Sequence, residues 1–164
     1  ALGLTLTASG ETDDAARALA EALKLDPTNA GALRGLGDLT ARSRGFVDAE
    51  RHYRPAIAAR PDGPELPSVL GGLFFRLGRA DESAREFERT IALAGDNYIG
   101  HKNLGAVLHM QGRFADAARS LQRAVELKPD AAVYTNLGTL YYYQGLYPQA
   151  VTALEKSIAL RAND

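Results

Sequence analysis

Cysteine is absent from this 164-residue chain. Disulfides, thiolate nucleophiles and cysteine-ligated zinc or iron–sulfur centres are therefore excluded. Charge of one sign is missing as well: Lys+Arg 19 against Asp+Glu 20 leaves a net charge of −1. Without a basic field, nucleic acid is not an expected partner. No apolar run approaches the ~20 residues of a bilayer-spanning helix, and no signal-peptide pattern is visible. The compartment stays open on these grounds, with the cytoplasm as the working expectation. Catalytic groupings are also lacking. Of the three histidines, His101 and His109 stand eight apart, too far to share a metal on one helix, and the fourth residue after His101 is Gly105. There is no HExxH sequence and no paired-carboxylate arrangement. The glycines at Gly31, Gly35, Gly37 and Gly71-Gly72 follow no strand pattern, so they form no phosphate loop. No Ser/His/Asp set can be argued from spacing. The expectation is a non-enzyme that needs no cofactor and no metal.

What is present is a period. The chain is 46% hydrophobic, enough for a real core. Leu-Gly pairs recur at Leu2-Gly3, Leu36-Gly37, Leu70-Gly71, Leu104-Gly105 and Leu137-Gly138, with spacings of 34, 34, 34 and 33 residues. A fixed period of this size marks a solenoid of stacked repeats. Other positions fall into phase. Twelve residues after each glycine come Ala15, Ala49, Ser83, Ala117 and Ala150. Sixteen after come Leu19, Tyr53, Phe87, Leu121 and Leu154. Nineteen after come Ala22, Ala56, Thr90, Ala124 and Ser157. Twenty-four after come Pro27, Pro61, Gly95 and Pro129, a series that Ala162 breaks.

This phased pattern resembles the tetratricopeptide repeat family over the whole chain. The resemblance implies an all-α fold, a right-handed α-solenoid or superhelix of antiparallel helix pairs. The chain is read as a single array of repeats 1–29 (truncated), 30–63, 64–97, 98–130 and 131–164. It is also read as a segment of a longer protein, because it opens inside a first helix and closes without a capping helix.

Each repeat is expected to hold two helices. The second shows an amphipathic period, as in Phe114, Ala117, Leu121, Ala124 and Val125. Gly10, Gly45, Gly78, Gly112 and Gly145 mark the turn between the two helices, where a left-handed residue ends the first. Asp13, Asp48, Asp81 and Asp116 follow near the start of the second, placed to cap amides and meet the dipole. Pro148 takes that early place in the last repeat. Pro55, inside a second helix, predicts a kink or displaced turn. Pro64 and Pro67 suit a first turn but could delay the helix of repeat three.

In this family the first helices line the concave face. The resemblance then places Arg34, Asp38, Arg42, Phe75, Arg76, Lys102, Asn103, His109, Asn136, Thr139, Tyr142 and Tyr143 on the binding stripe. Tyr141, in line with Leu6, Thr40, Phe74 and Leu108, is expected in the core, and Tyr134 is expected to be structural. Tyr142 and Tyr143 look into the groove or pack against a further repeat. Asn103 and Asn136 can each donate to and accept from a peptide backbone. They are similar to two rungs of the asparagine ladder in O-linked N-acetylglucosamine transferases, with Gly35 and Val69 standing at the earlier rungs. A carboxylate clamp of the chaperone-binding kind is not expected, since Lys102 is followed by Ala106 where that clamp needs asparagine. The expected function is a protein-interaction scaffold that holds an extended peptide. Two alternatives stand beside it: stacking of copies through open ends, and a regulatory or substrate-recruiting arm of a larger protein.

Overall fold

The computed structural model describes residues 12–43 and 46–162. Among the described residues there are nine α-helices and no strand. They are α1 (Thr12–Leu25), α2 (Ala30–Ser43), α3 (Phe46–Ala59), α4 (Glu65–Arg76), α5 (Ala80–Leu93), α6 (Tyr98–Met110), α7 (Phe114–Leu127), α8 (Ala131–Tyr143) and α9 (Tyr147–Arg161). The Leu2-Gly3 pair and the turn glycines Gly10 and Gly45 lie outside the described residues.

The chain divides into two compact units, Ala1–Gly78 and Arg79–Asp164. The division falls between α4 and α5, inside the third repeat. In the first unit α2 packs on both α1 and α3, and α4 packs on α3. In the second, each helix from α5 to α9 packs on the next, and α6 also touches α8. Within each unit, within-repeat and between-repeat packing alternate from helix to helix, the arrangement of an all-α tetratricopeptide-type fold.

Small residues at phased positions make this packing close. Ala15, Ala49, Ser83 and Ala117 are fully buried, and Ala150 nearly so. Each Leu-Gly glycine in contact range forms a socket for the residue sixteen positions on. A Cβ added to Gly37 would fall 2.6 Å from the Tyr53 ring. One on Gly105 would fall 2.5 Å from Leu121, and one on Gly138 2.6 Å from Leu154. Large apolar residues fill the space these close approaches define. Phe74 and Phe87 are almost wholly buried, each worth roughly 1.5–3 kcal/mol of transfer free energy.

The turns within repeats follow the glycine reading. Gly78, Gly112 and Gly145 have φ of 71°, 74° and 74°. After α6 the Arg113 amide donates to the Leu108 carbonyl and the Gly112 amide to that of His109, at 2.9 Å each. The same pair of bonds, Leu146 to Tyr141 and Gly145 to Tyr142, closes α8. This is the Schellman arrangement, which needs a left-handed residue after the helix.

Asp13, Asp48, Asp81 and Asp116 stand in the first turns of their helices, where they meet the dipole as expected, but the expected capping of amides is corrected for Asp81 and Asp116. The residues preceding α5, α7 and α9 are Arg79, Arg113 and Leu146, and none makes a side-chain cap. Asp81 and Asp116 sit inside the first turn, two and three residues after those positions, and bond side chains. Asp116 pairs with Arg113 and Arg119, and Asp81 accepts from Gln111 at 2.8 Å. Side-chain caps occur at the turns between repeats. Asn29 accepts from the Ala32 amide, Asn97 from Gly100, and Asp130 from Ala132 and Val133. The second helix begins directly after the Schellman turn, which leaves no extended capping residue. The turn between repeats has room for one.

The prolines behave variously. Helix α3 runs continuously from Phe46 to Ala59 through Pro55, whose side is exposed. Pro64 immediately precedes α4, which begins at Glu65, and Pro67 lies buried in its first turn. Phe114, counted with the apolar period of its helix, is 38% exposed because it stands at the helix start, beyond the reach of the core.

Candidate functional site

None of the twelve stripe residues is buried, so the stripe forms outward surface in both units. The two units offer different chemistry.

In the first unit, Arg34 and Asp38 line a cavity of about 410 Å³ together with Arg60 and Glu65, floored by Gly31 and Leu66. Arg34 Nε lies 3.8 Å from Asp38 Oδ2, one helical turn away. The other Asp38 oxygen accepts a 2.6 Å hydrogen bond from the Tyr53 hydroxyl. Burial is the main cause that pushes the Tyr53 phenol well above its ordinary range, and the Asp38 carboxylate adds to it. Asp38 is therefore half committed to holding a core tyrosine, a role its position in the sequence did not reveal. The signal was available: Tyr53 is the only tyrosine among the residues that fill the glycine sockets. Arg42 is exposed near the end of α2. Phe75, 41% exposed, and Arg76 close α4. Arg76 also lines a smaller cavity of about 210 Å³ with Tyr53, Ser68 and Gly72.

In the second unit, Lys102 and Asn103 on α6 and Asn136 and Thr139 on α8 are half-buried. Neither asparagine side chain has a hydrogen-bond partner among the described residues. The Lys102 ammonium stands 5.8 Å from the centre of the Tyr98 ring. Rings join the two first helices of this unit. His109 contacts Phe114 at 5.7 Å and Tyr143 at 5.5 Å between centroids. Tyr143 contacts Tyr142 at 5.7 Å, and Tyr142 contacts Tyr147 at 5.9 Å. Tyr142 is 60% and Tyr143 66% exposed. The aromatic surface thus runs from α6 across α8 to the start of α9. Sequence phasing placed His109, Tyr142 and Tyr143 there but not Phe114 or Tyr147, which belong to second helices and join only through the turns.

The two other tyrosines behave as expected. Tyr141 packs against the core and accepts from Gln122 Nε2 at 3.1 Å. Tyr134 packs there too, beneath the Lys156 ammonium at 5.6 Å. These two tyrosines and Lys156 also line a cavity of about 370 Å³ between α8 and α9, away from the stripe, which the sequence did not disclose. Among the described residues no group of three or more His, Asp or Glu could hold a metal, and no helix is long and apolar enough to cross a membrane.

A fold of stacked antiparallel helix pairs with this period defines a class of repeat proteins used for protein–protein interaction. The tetratricopeptide repeat family model matches residues 1–64, 38–98 and 69–132, and a second model of the same family matches 131–163. The chain belongs to the tetratricopeptide repeat family, whose members are generally non-catalytic scaffolds.

Among solved structures it is similar to MamA, with 24% identity, 99% of this chain and 96% of that one covered, and a TM-score of 0.91. It is similar to YrrB, described as a tetratricopeptide protein with an unusual peptide-binding site, at 22% identity, 98% and 83% coverage and a TM-score of 0.85. It is also similar to PilF of Pseudomonas aeruginosa, at 22% identity, 96% and 72% coverage and a TM-score of 0.84. At these identities the likeness concerns the fold. No curated protein matches the chain.

Proposed function

We propose that the protein is a non-catalytic scaffold that recruits another polypeptide by holding an extended segment of it along the first helices. The observation that carries this reading is the pairing of unpartnered Asn103 and Asn136 side chains with the His109–Tyr143–Tyr142 rings on adjacent helices α6 and α8. The amides grip backbone groups without reading side chains. The exposed rings supply contact area at a small cost in conformational entropy. Lys102 and Thr139 flank them. In the first unit Arg34, Asp38, Arg42, Phe75 and Arg76 offer a second surface for the same kind of contact, in keeping with a reading of the repeats as a single array. A peptide-binding site in the similarly folded YrrB supports the reading by analogy.

The test is capture of clients from a lysate with the wild-type chain and with Asn103→Ala/Asn136→Ala/Tyr142→Ala, after circular dichroism shows equal helicity. Clients lost with the triple variant alone are the expected result. Identical capture by both proteins would remove the groove reading.

A further inference from the structure

The cavity of about 370 Å³ between α8 and α9 lies apart from the stripe. On α8 its floor is the row Tyr134, Leu137 and Tyr141, which helical periodicity sets on the side away from Asn136, Thr139 and Tyr143. On α9 its wall runs from Pro148 and Gln149 through Thr152 to Lys156. The two helices are antiparallel: the Lys156 ammonium stands 5.6 Å from the centre of the Tyr134 ring, while Leu154 and the Ala150 carbonyl crowd Gly138. The wall from Gln149 to Lys156 is about 10 Å long at the rise of an α-helix. Small-molecule sites begin at roughly 300 Å³, so the cavity has the size for one.

This cavity is separate from the exposed apolar row of α9. Leu154 and Ile158, which stand where Leu121 and Val125 stand one repeat earlier, lie on the other side of the helix from Gln149, Thr152 and Lys156. Gln122 of α7 donates to the Tyr141 hydroxyl at 3.1 Å and so ties the cavity floor to the preceding repeat.

The same places in the fourth repeat show what is unusual here. There Arg119 pairs with Asp116 and Arg123 with Glu126, so each cation of the row has its carboxylate. The floor holds His101, whose ring nitrogen bonds the Gly95 carbonyl at 3.2 Å, and Leu108, which is buried. In the last repeat Gln149 takes the place of Asp116 and Ala159 that of Glu126, while Lys156 keeps the charge of Arg123. Lys156 accordingly has no carboxylate partner among the described residues. Two tyrosines, Tyr134 and Tyr141, take the places of His101 and Leu108. The Tyr134 hydroxyl and the Gln149 amide have no hydrogen-bond partner among the described residues either. A self-neutralised row over a filled floor is thus replaced by an aromatic floor with one uncompensated cation and two spare hydrogen-bonding groups.

We propose that this cavity binds a small aryl carboxylate. The carboxylate pairs with Lys156 in a charge-assisted contact. The ring lies over Leu137 against Tyr134 and Tyr141, whose faces and edges suit a flat ligand. The site faces away from the stripe and does not depend on the peptide-binding reading.

The probe is cinnamate, added to the whole chain and followed by amide and methyl NMR shifts. Saturable shifts at Leu137, Ala153 and Lys156 are expected, with a Kd of about 1 mM or below for a ligand of this size. Cinnamamide, which keeps the shape and loses the charge, should bind at least fivefold more weakly. Lys156→Gln should weaken cinnamate binding by the same factor. Ala159→Glu, which restores the i,i+3 carboxylate that Arg123 has, should weaken it severalfold. Thr152→Trp, which fills the cavity from its wall, should abolish it. All three substituted positions are exposed, and circular dichroism checks that helicity is kept. Asn136→Ala should leave binding unchanged, whereas its loss there would place the ligand on the stripe and overturn the proposal. Absence of saturable shifts, equal binding of cinnamamide, or indifference to any of the three substitutions would overturn it as well. Tighter binding of a blocked glutamyl-phenylalanine dipeptide than of cinnamate would assign the cavity to the side chains of a polypeptide and overturn the small-molecule reading.

Discussion

The glycine sockets of the two units hold different side chains, and the difference reaches the surface. In the first unit Gly37 accommodates the Tyr53 ring, whose hydroxyl projects beyond the socket and takes up Asp38 on the outward stripe. In the second unit Gly105 and Gly138 accommodate Leu121 and Leu154, which carry no polar group to reach the stripe. The residues at the place of Asp38 there are Ala106 and Thr139, and neither is engaged by a core side chain. The second repeat therefore spends a polar stripe position on structure, while Thr139 at the same place in the last repeat is left available. A register position thus confers exposure on a stripe residue, but what fills the socket behind it decides whether that residue is free.

The sharpest break in this comparison comes from emptying a socket. Leu121→Ala should cost about 3 kcal/mol, since it removes a fully buried side chain and leaves a cavity. Leu154→Ala should cost less than half of that, because Leu154 is partly in water already. Urea unfolding of both variants measures the gap, and equal costs would contradict the difference in burial between the two leucines.

Overfilling the sockets comes next. Gly37→Ala forces the rigid Tyr53 ring aside and strains its bond to Asp38, for an expected loss of about 2 kcal/mol. Gly138→Ala should cost about 1 kcal/mol, because the half-exposed Leu154 can swing outward. The order of the two denaturation midpoints checks the contrast.

Tyr53→Phe keeps the ring and removes only the hydroxyl. A loss of about 1 kcal/mol is expected, the net worth of one hydrogen bond. The same bond has a pH signature. The Tyr53 phenol is raised above its unfolded value of roughly 10. Its contribution to stability is complete below that value and fades as the pH rises through the folded one. Absorbance at 295 nm during alkaline titration should show one tyrosine that ionises after the rest, and Tyr53→Phe should remove it.

The smallest effect serves as the control. Gly72 lies inside α4 with nothing within 4 Å of an added Cβ, unlike the socket glycines. Gly72→Ala should stabilise by about 0.5–1 kcal/mol through helix propensity alone. A loss instead would mean that an added methyl meets a neighbouring group.

Much of this molecule was legible before any coordinates. The positions of Ala49, Ser83 and Ala117, of Tyr53, Phe87 and Leu121, and of the turn glycines Gly78, Gly112 and Gly145 all follow from one period. The stripe residues His109, Tyr142 and Tyr143 do as well. Other features were not legible because they join residues whose spacing carries no rule. Asp81 and Asp116 looked like caps by position, yet the Schellman turns leave them to Gln111 and to arginines. Phe114 and Tyr147 enter the aromatic surface from second helices, through turns that bring them beside His109 and Tyr142.

Period, helix pairing and the ladder of small and large buried residues were decided by the order of side chains, because a helix repeats every 3.6 residues and a close helix crossing admits only glycine, alanine or serine. The partnering of Asp38 with Tyr53, the meeting of rings between α6, α8 and α9, and the exposure of Leu154 and Ile158 were decided by tertiary structure alone. Leu121 and Leu154 stand at the same place in their repeats and face the same kind of socket, yet one is buried and the other is not. Burial belongs to the neighbouring surface as much as to the residue, and only the folded chain brings that surface into place.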